Sequence, residues 1–220
     1  MAVAILFFSF ALLLAIGVPV AYSLTASALA TLIYLGLPPI VVVQQIAAGA
    51  GSSSLLAIPL FIFAGEIMLR GGISERLIAL ASALVGHLRG GLGQVSVVSS
   101  LFFGGVSGSA IADVSAIGGA MIPQMVQRGF DRDFAVNVSI TAALVALLVP
   151  PSHNLILYSA AAGGGLSIAD LFAAGMLPAL LMTAVLMFTG WMIARRRNYA
   201  VEAFPGFSAV FTRLVSALPG

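Results

Sequence analysis

The stretch Arg89-GGLGQVSVVSSLFFGGVSGSAIADVSAIGGAMIPQMVQ-Arg128 decides the fold. Between the two arginines lie 38 residues with a single charge, Asp113. As one straight helix they would extend ~57 Å at 1.5 Å per residue, far beyond the ~30 Å hydrocarbon core of a bilayer. Two full spans would use ~40 residues and leave none for a turn. Both ends are basic, and Arg-flanked ends stay on the cytoplasmic side. The economical solution is a re-entrant hairpin of two short helices that enters and leaves on that side. Its tip falls at the midpoint, Gly108–Ser109. Glycine permits a tight reversal there, and Ser107 and Ser109 can cap or coordinate.

The rest of the chain agrees with a membrane setting. Of 220 residues, 61% are hydrophobic and 7% charged, with a mean hydropathy of +1.16. A soluble domain carries about 25% charged residues. The chain is therefore an all-α, polytopic integral membrane protein, with room for about six to eight segments at ~20 residues per span. Nine arginines and seven acids give a net charge of +2, too sparse for a nucleic-acid footprint. The absence of cysteine excludes disulfides and thiolate metal sites. Met1–Ile16 is apolar, but no basic residue precedes it, so it reads as a mature helix and not as a secretion signal.

Upstream of the hairpin, Gly17-Val18-Pro19 divides the first apolar stretch into helices near 2–17 and 19–36, because Pro19 cannot donate to a helical ladder. Pro38-Pro39 opens a third apolar region reaching Met68, interrupted by Gly49, Gly51 and Pro59. It is either one broken helix or a short segment followed by a span. Residues 74–88 form an amphipathic helix capped by Ser74, with Leu77, Leu80, Ala81, Leu84 and Leu88 at helical spacing. Glu75, Arg76, Ser82 and His87 fall largely elsewhere around it, and His87 reads as solvated. Such a helix lies along a membrane surface or braces other helices.

Downstream, a helix starts at Asp131 or Asp133 and runs through Asn137 to Val149, where Pro150-Pro151 stops it. Ser152-His153-Asn154 follow at what should be membrane depth. The apolar pattern resumes over Leu155–Ala162 until Gly163-Gly164-Gly165, giving one helix broken in the middle. Ser167 with Asp170 makes a capping pattern for a last span of about 168–194. Arg195-Arg196-Arg197 place its end in the cytoplasm, and 199–220 form a short amphipathic tail.

Irregular backbone inside a membrane is tolerated only where protein or a water-filled cavity satisfies it. A hairpin tip and a broken helix that meet near the midplane make such a cavity. Freed carbonyls and hydroxyls there are hard ligands for an alkali cation, and positive half-helix ends can face an anion. Ser152, His153 and Asn154 either satisfy the backbone groups freed by the prolines or belong to the ion or substrate site. Asp113 sits one turn into the second arm, in a helix-dipole role or an ion-binding one. Glu66 and Arg70, spaced i,i+4, read as a structural ion pair, and Met121 and Met125 as packing residues. No metalloprotease, nucleophile-elbow or phosphate-loop signature is present. An intramembrane hydrolase built on Ser109 and His153 would lack oxyanion and orienting groups. The chain is not read as an enzyme.

Phe63-Ala64-Gly65-Glu66-Ile67-Met68, followed by Gly72-Ile73-Ser74 and Arg76-Leu77, resembles the large membrane subunit of the tripartite ATP-independent periplasmic (TRAP) transporters. So do Gly90-Gly91-Leu92, Ser107-Gly108-Ser109-Ala110, Ile122-Pro123-Gln124-Met125 and Pro150-Pro151-Ser152, in the same order along nearly the whole chain. The resemblance implies an elevator-type permease of the bacterial or archaeal inner membrane, driven by a sodium gradient. It further implies a periplasmic binding protein that delivers an organic acid (a dicarboxylate, keto acid or sugar acid) and a small four-helix membrane subunit. Sodium is the only cofactor implied.

Carried over, Ser107, Gly108, Ser109, Pro150, Ser152 and Asn154 would bind sodium. Ser109, Ala110, Ser152, His153 and Asn154 would face the substrate. Residues 1–73 would be scaffold, 74–89 the arm, 90–194 the transport-domain half (hairpin 90–128, broken helix 131–163, last helix 168–194) and 195–220 a tail or linker. The family's large subunit is about twice as long and holds two inverted repeats. This chain then corresponds to the N-terminal half, as a fragment, a truncated product or one of two chains, and is not expected to transport alone. Two other readings stay open: an ion-coupled carrier of the same architecture without a binding protein, and a non-transporting membrane scaffold.

Overall fold

The structure is a computed structural model that describes residues 1–51, 53–162, 165–199, 201 and 203–217. All regular structure among the described residues is helical. The backbone divides into two compact units, Met1–Leu56 and Ala57–Gly220.

The first unit contains α1 (Ala2–Ala15), α2 (Val20–Tyr34) and α3 (Ile40–Ala50). The expected break falls in place, with Pro19 capping α2 and Gly17 in the left-handed region at φ 89°. Helices α1 and α2 pack together. Ser23 and Ser27, one turn apart on α2, are buried and return their hydroxyls to the carbonyls of Val18 and Leu24 at 3.1 and 3.0 Å. Small residues that satisfy themselves let backbones approach without exposing polar groups to lipid. Phe7, Phe8 and Leu12 of α1 are exposed.

The second unit takes most of α4 (Ser53–Arg70), then α5 (Ile73–Val85), α6 (Gly91–Ser107) and α7 (Ala110–Asp113). A π-helical turn over Val114–Gly118 leads into α8 (Gly119–Gln127). Next come α9 (Arg132–Ala143), a 3-10 turn over Val145–Leu147, α10 (His153–Ala161), α11 (Ile168–Arg196) and α12 (Phe207–Ala217). The third apolar region is two helices, α3 and α4: the interruption falls at Gly51, the C-cap of α3, while Gly49 and Pro59, also expected to interrupt it, lie inside α3 and α4. Among the described residues α11 is the one helix long and apolar enough to cross a membrane by itself. Ser167 caps it, its Oγ accepting from the Asp170 N–H at 3.3 Å as the sequence predicts.

Helix α6 is the centre of this unit and packs against α5, α9 and α11. It buries 13 of its 17 residues, many of them Gly or Ser. The core beside it is formed by Phe103, Ile117, Met121, Met125, Phe134 and Ala135. Met121 and Met125 are therefore packing residues, as read. Gln94 reaches across to α11 and donates to the Met187 carbonyl at 2.9 Å.

Several local expectations change. Ser74 does not cap α5: Gly72, left-handed at φ 76°, reverses the chain two residues earlier and leaves Ser74 inside the helix. The buried arc of α5 is Ile73, Leu80, Ala81 and Ala83, while Leu84 and Leu88 are exposed. The reason is that α5 lies between α6 and α12, so its contacts wrap around more than one stripe. His87 is part-buried and not simply solvated: its Nδ1 is buried with no partner among the described residues, and its ring meets the Phe204 edge at 4.8 Å. A cavity of about 630 Å³ under α12 is lined by Glu75, His87, Gln124 and Arg213 among others, and by none of the tip or break residues.

Helix α9 ends at Ala143, short of the expected Val149, and the 3-10 turn covers the difference. Asp131 stands at its N-cap but does not cap with its side chain. Its carboxylate instead accepts from Tyr199 Oη at 2.6 Å and from Arg197 at 2.7 Å, while Arg197 also grips Asp133 at 2.9 Å. Tyr199 packs on Phe130 and Phe134. Together they clasp the start of α9 to the end of α11. The predicted breaks at Gly163 and Gly164 and the terminal Pro219 and Gly220 lie outside the described residues.

Candidate functional site

The turn between α6 and α7 lies where the midpoint argument put it. Gly108 ends α6 in the left-handed region at φ 57°, a conformation that disfavours any residue with a Cβ. Ser109 is extended and caps α7, its Oγ accepting from the Ala112 N–H at 3.4 Å. Ser107 Oγ accepts from the Ser109 N–H at 3.4 Å, so the two serines bracket the reversal. Ala110 opens the returning arm and is half-buried.

The break in the next helix packs directly on this turn. A Cβ built on Gly108 would overlap the Pro151 carbonyl oxygen and lie 3.2 Å from Ser152 Cα. One turn back, a Cβ on Gly105 would lie 3.6 Å from the Pro150 carbonyl oxygen. Hairpin tip and Pro-Pro break are thus in backbone contact, which only a glycine at 108 allows. Ser152 is fully buried and donates its hydroxyl to the Leu147 carbonyl, satisfying one acceptor freed where the helix stops. His153 begins α10, and its Nε2 is buried with no partner among the described residues. Asn154 is exposed, one residue further along α10.

A cavity of about 220 Å³ opens beside the tip. Ser107, Ser109, Ala112 and His153 line it from the tip and break, and Phe61, Gly65, Glu66 and Leu69 line it from α4. Gly65 makes the approach possible, since a Cβ there would meet the Val106 carbonyl oxygen at 3.2 Å. Glu66 accepts from Arg70 Nε at 2.9 Å, the pair expected from the i,i+4 spacing. Of the residues singled out from the sequence, Ser107, Ser109, His153 and Glu66 share this cavity. Gly108, Pro150 and Ser152 form the contact behind it, and Asn154 is not part of its lining.

Behind the tip, Asp113 is almost wholly buried and accepts from Ser100 Oγ at 2.6 Å, tying the two arms together. Its Oδ1 has no partner among the described residues, and neither has the buried Ser99 Oγ. The π-helical turn follows Asp113 directly. The sequence marked Asp113 as the lone charge but carried no sign of Ser100 as its partner.

A family model described as the DctM component of the tripartite ATP-independent periplasmic transporters matches residues 7–217. The chain belongs to the DctM family. It is 39% identical over 206 residues to the Escherichia coli 2,3-diketo-L-gulonate TRAP transporter large permease protein YiaN, covering 93% of this chain and 48% of that protein. It is 38% identical over 209 residues to the Vibrio cholerae C4-dicarboxylate TRAP transporter large permease protein DctM, covering 94% of this chain and 46% of that one. An uncharacterized Salmonella typhimurium protein, YgiK, is 41% identical over 201 residues, or 90% of this chain and 46% of its own length. The chain spans about half the length of the curated relatives it matches. The DctM family is one of membrane transporter components and not of enzymes.

Proposed function

We propose that this chain carries one ion- and substrate-binding half-site of a sodium-coupled secondary transporter that imports an organic acid across a bacterial or archaeal inner membrane. The observation that carries the reading is the seating of Gly108 on the Pro151 carbonyl. Two interruptions of helical structure that are far apart in sequence meet at one point, and unpaired backbone groups are tolerated at membrane depth only where something satisfies them. Carbonyl and hydroxyl oxygens are ligands for a hard cation, and the N-termini of α7 and α10 turn their positive ends toward an anion.

On this reading α6 to α8 is a re-entrant hairpin. Ser107, Gly108, Ser109, Pro150, Ser152 and Asn154 hold the sodium ion, while Ser109, Ala110, Ser152, His153 and Asn154 face the substrate. The π turn and the Asp113–Ser100 bond stiffen the arm behind the tip. Helix α5 is the arm between a static scaffold and a moving transport domain, in an elevator cycle. A periplasmic binding protein delivers the substrate, and a small four-helix membrane subunit completes the scaffold. The substrate class follows the names of the relatives, both of which handle carboxylates.

Gly108→Ala tests this in the transporter assembled with its partners. The added methyl displaces the tip from the break, and sodium-dependent uptake of a dicarboxylate or sugar acid drops at least tenfold while the amount of protein in the membrane stays constant. Unaltered sodium-dependent uptake by that variant overturns the half-site.

A further inference from the structure

The Glu66–Arg70 pair lies where an exposed ion pair has no obvious structural work. Glu66 lines the cavity that Ser107, Ser109 and His153 also line. Gly65, the residue before it, brings α4 into van der Waals range of the tip backbone. The pair is a single contact, Arg70 Nε to Glu66 Oε1 at 2.9 Å, and both side chains are more than half exposed, at 82% and 54%. Exposed pairs of this kind are held weakly and break readily. Neither residue makes a second ion pair among the described residues.

The charges match what a cation-coupled carrier of anions must accommodate. Before loading, Glu66 and Arg70 neutralise each other. A monovalent cation entering the cavity meets a lining that includes Glu66, Ser107 and Ser109, whose oxygens suit a hard ion. Once the cation takes Glu66, Arg70, one helical turn further along α4 and outside the cavity lining, is an uncompensated guanidinium. Its planar fork matches a carboxylate. A carboxylate arriving there restores neutrality. Each ligand alone leaves one charge of the pair uncompensated, and both together leave none.

Resting on the transporter reading above, we propose that Glu66 and Arg70 form an exchange pair: a sodium ion displaces Arg70 from Glu66, and the freed Arg70 binds the carboxylate of the substrate. No bond is made or broken beyond these ion contacts. The exchange makes tight substrate binding conditional on sodium, because Arg70 is otherwise occupied.

The test is sodium binding by the transporter assembled with its partners and purified in detergent micelles, read as the rise in unfolding midpoint with sodium chloride against choline chloride, with succinate as the carboxylate probe. The two halves of the pair respond with opposite signs. Glu66→Gln weakens the apparent sodium affinity at least tenfold. Arg70→Gln removes the competing cation, strengthens sodium affinity severalfold and abolishes the additional shift that succinate gives in sodium. Glu66→Asp keeps a carboxylate and retains part of the sodium response, which separates loss of the ligand from a misfolded variant. A merely structural pair would lose midpoint in both variants without moving sodium affinity, and that result overturns the exchange. If Ser109→Ala abolishes sodium binding while both pair variants bind normally, the exchange fails and the half-site stands. No sodium-specific shift in the unaltered assembly sinks both.

Discussion

Helices α1 and α6 are similar in length and opposite in surroundings. α1 reads AVAILFFSFALLLA, with one polar residue, and buries none of its residues. α6 carries Gln94, Ser96, Ser99, Ser100 and Ser107 and buries 13 of its 17 residues. In water, burial follows apolarity. Here the more apolar helix is the more exposed one. Lipid solvates Phe7 and Phe8 as well as a protein interior would, so apolarity marks the surface available to the bilayer. The interior goes to small and hydroxylated residues, because they let backbones come close and bond across. That is why the residues proposed to carry function lie in the less hydrophobic part of the chain.

The widest gap between the two helices should appear on truncating one large side chain in each unit. Met125→Ala opens a cavity in the fully buried core beside α6 and should cost about 3 kcal/mol of unfolding free energy. Phe8→Ala on α1, 74% exposed, should cost under about 0.5 kcal/mol when the chain is measured in micelles. Equal losses would break the comparison. Ser100→Ala probes the polar character of the interior on a smaller scale. It strips Asp113 of its partner in a buried setting and should cost about 1–3 kcal/mol. Chemical denaturation of that variant, with Ser115→Ala on the exposed face as a control, measures it.

The clasp between α9 and α11 should give the smallest effect, and it is visible through pH. The Tyr199 hydroxyl and then Arg197 hold the Asp131 carboxyl below its ordinary value. A carboxyl lowered on folding stabilises the protein above its unfolded pKa, about 3.9, and loses that contribution as pH falls through the folded value. The Arg197 guanidinium is raised by Asp133, Tyr199 and Asp131 and stays charged throughout. Arg197→Gln should flatten the acid limb of the stability profile by lowering the neutral plateau slightly, while stability below the folded carboxyl value stays unchanged. High salt should mimic it in the unaltered chain. A flat acid limb before substitution would show that the clasp contributes nothing.

The breaks were legible because they are backbone chemistry. Pro19, Gly108 and Pro150-Pro151 interrupt helices, and each interruption lies where those residues stand, whereas Pro59, Pro123 and Pro178 are carried inside helices. Length played the same part for 90–127, where 38 nearly uncharged residues suit neither one span nor two with a turn. Partners were not legible. Ser100 finds Asp113 across a reversal, Arg197 finds Asp131 and Asp133 from the far end of another helix, and α12 covers one side of α5. No periodicity reports such pairs, since each depends on how two helices are rotated about their own axes.

By itself the sequence determined that this chain is helical, lives in a membrane, belongs with the DctM-family permeases and reverses at Ser107-Gly108-Ser109. Local geometry and composition suffice for those, because glycine, proline and the want of charge act on the chain without reference to the rest of it. Only the tertiary structure decided that the tip of the hairpin rests on the Pro151 carbonyl and that Glu66 shares a cavity with Ser107, Ser109 and His153. Those depend on which faces of α4, α6 and α10 meet. In a chain this apolar the hydrophobic pattern marks few faces, so the packing of glycines and serines had to choose them.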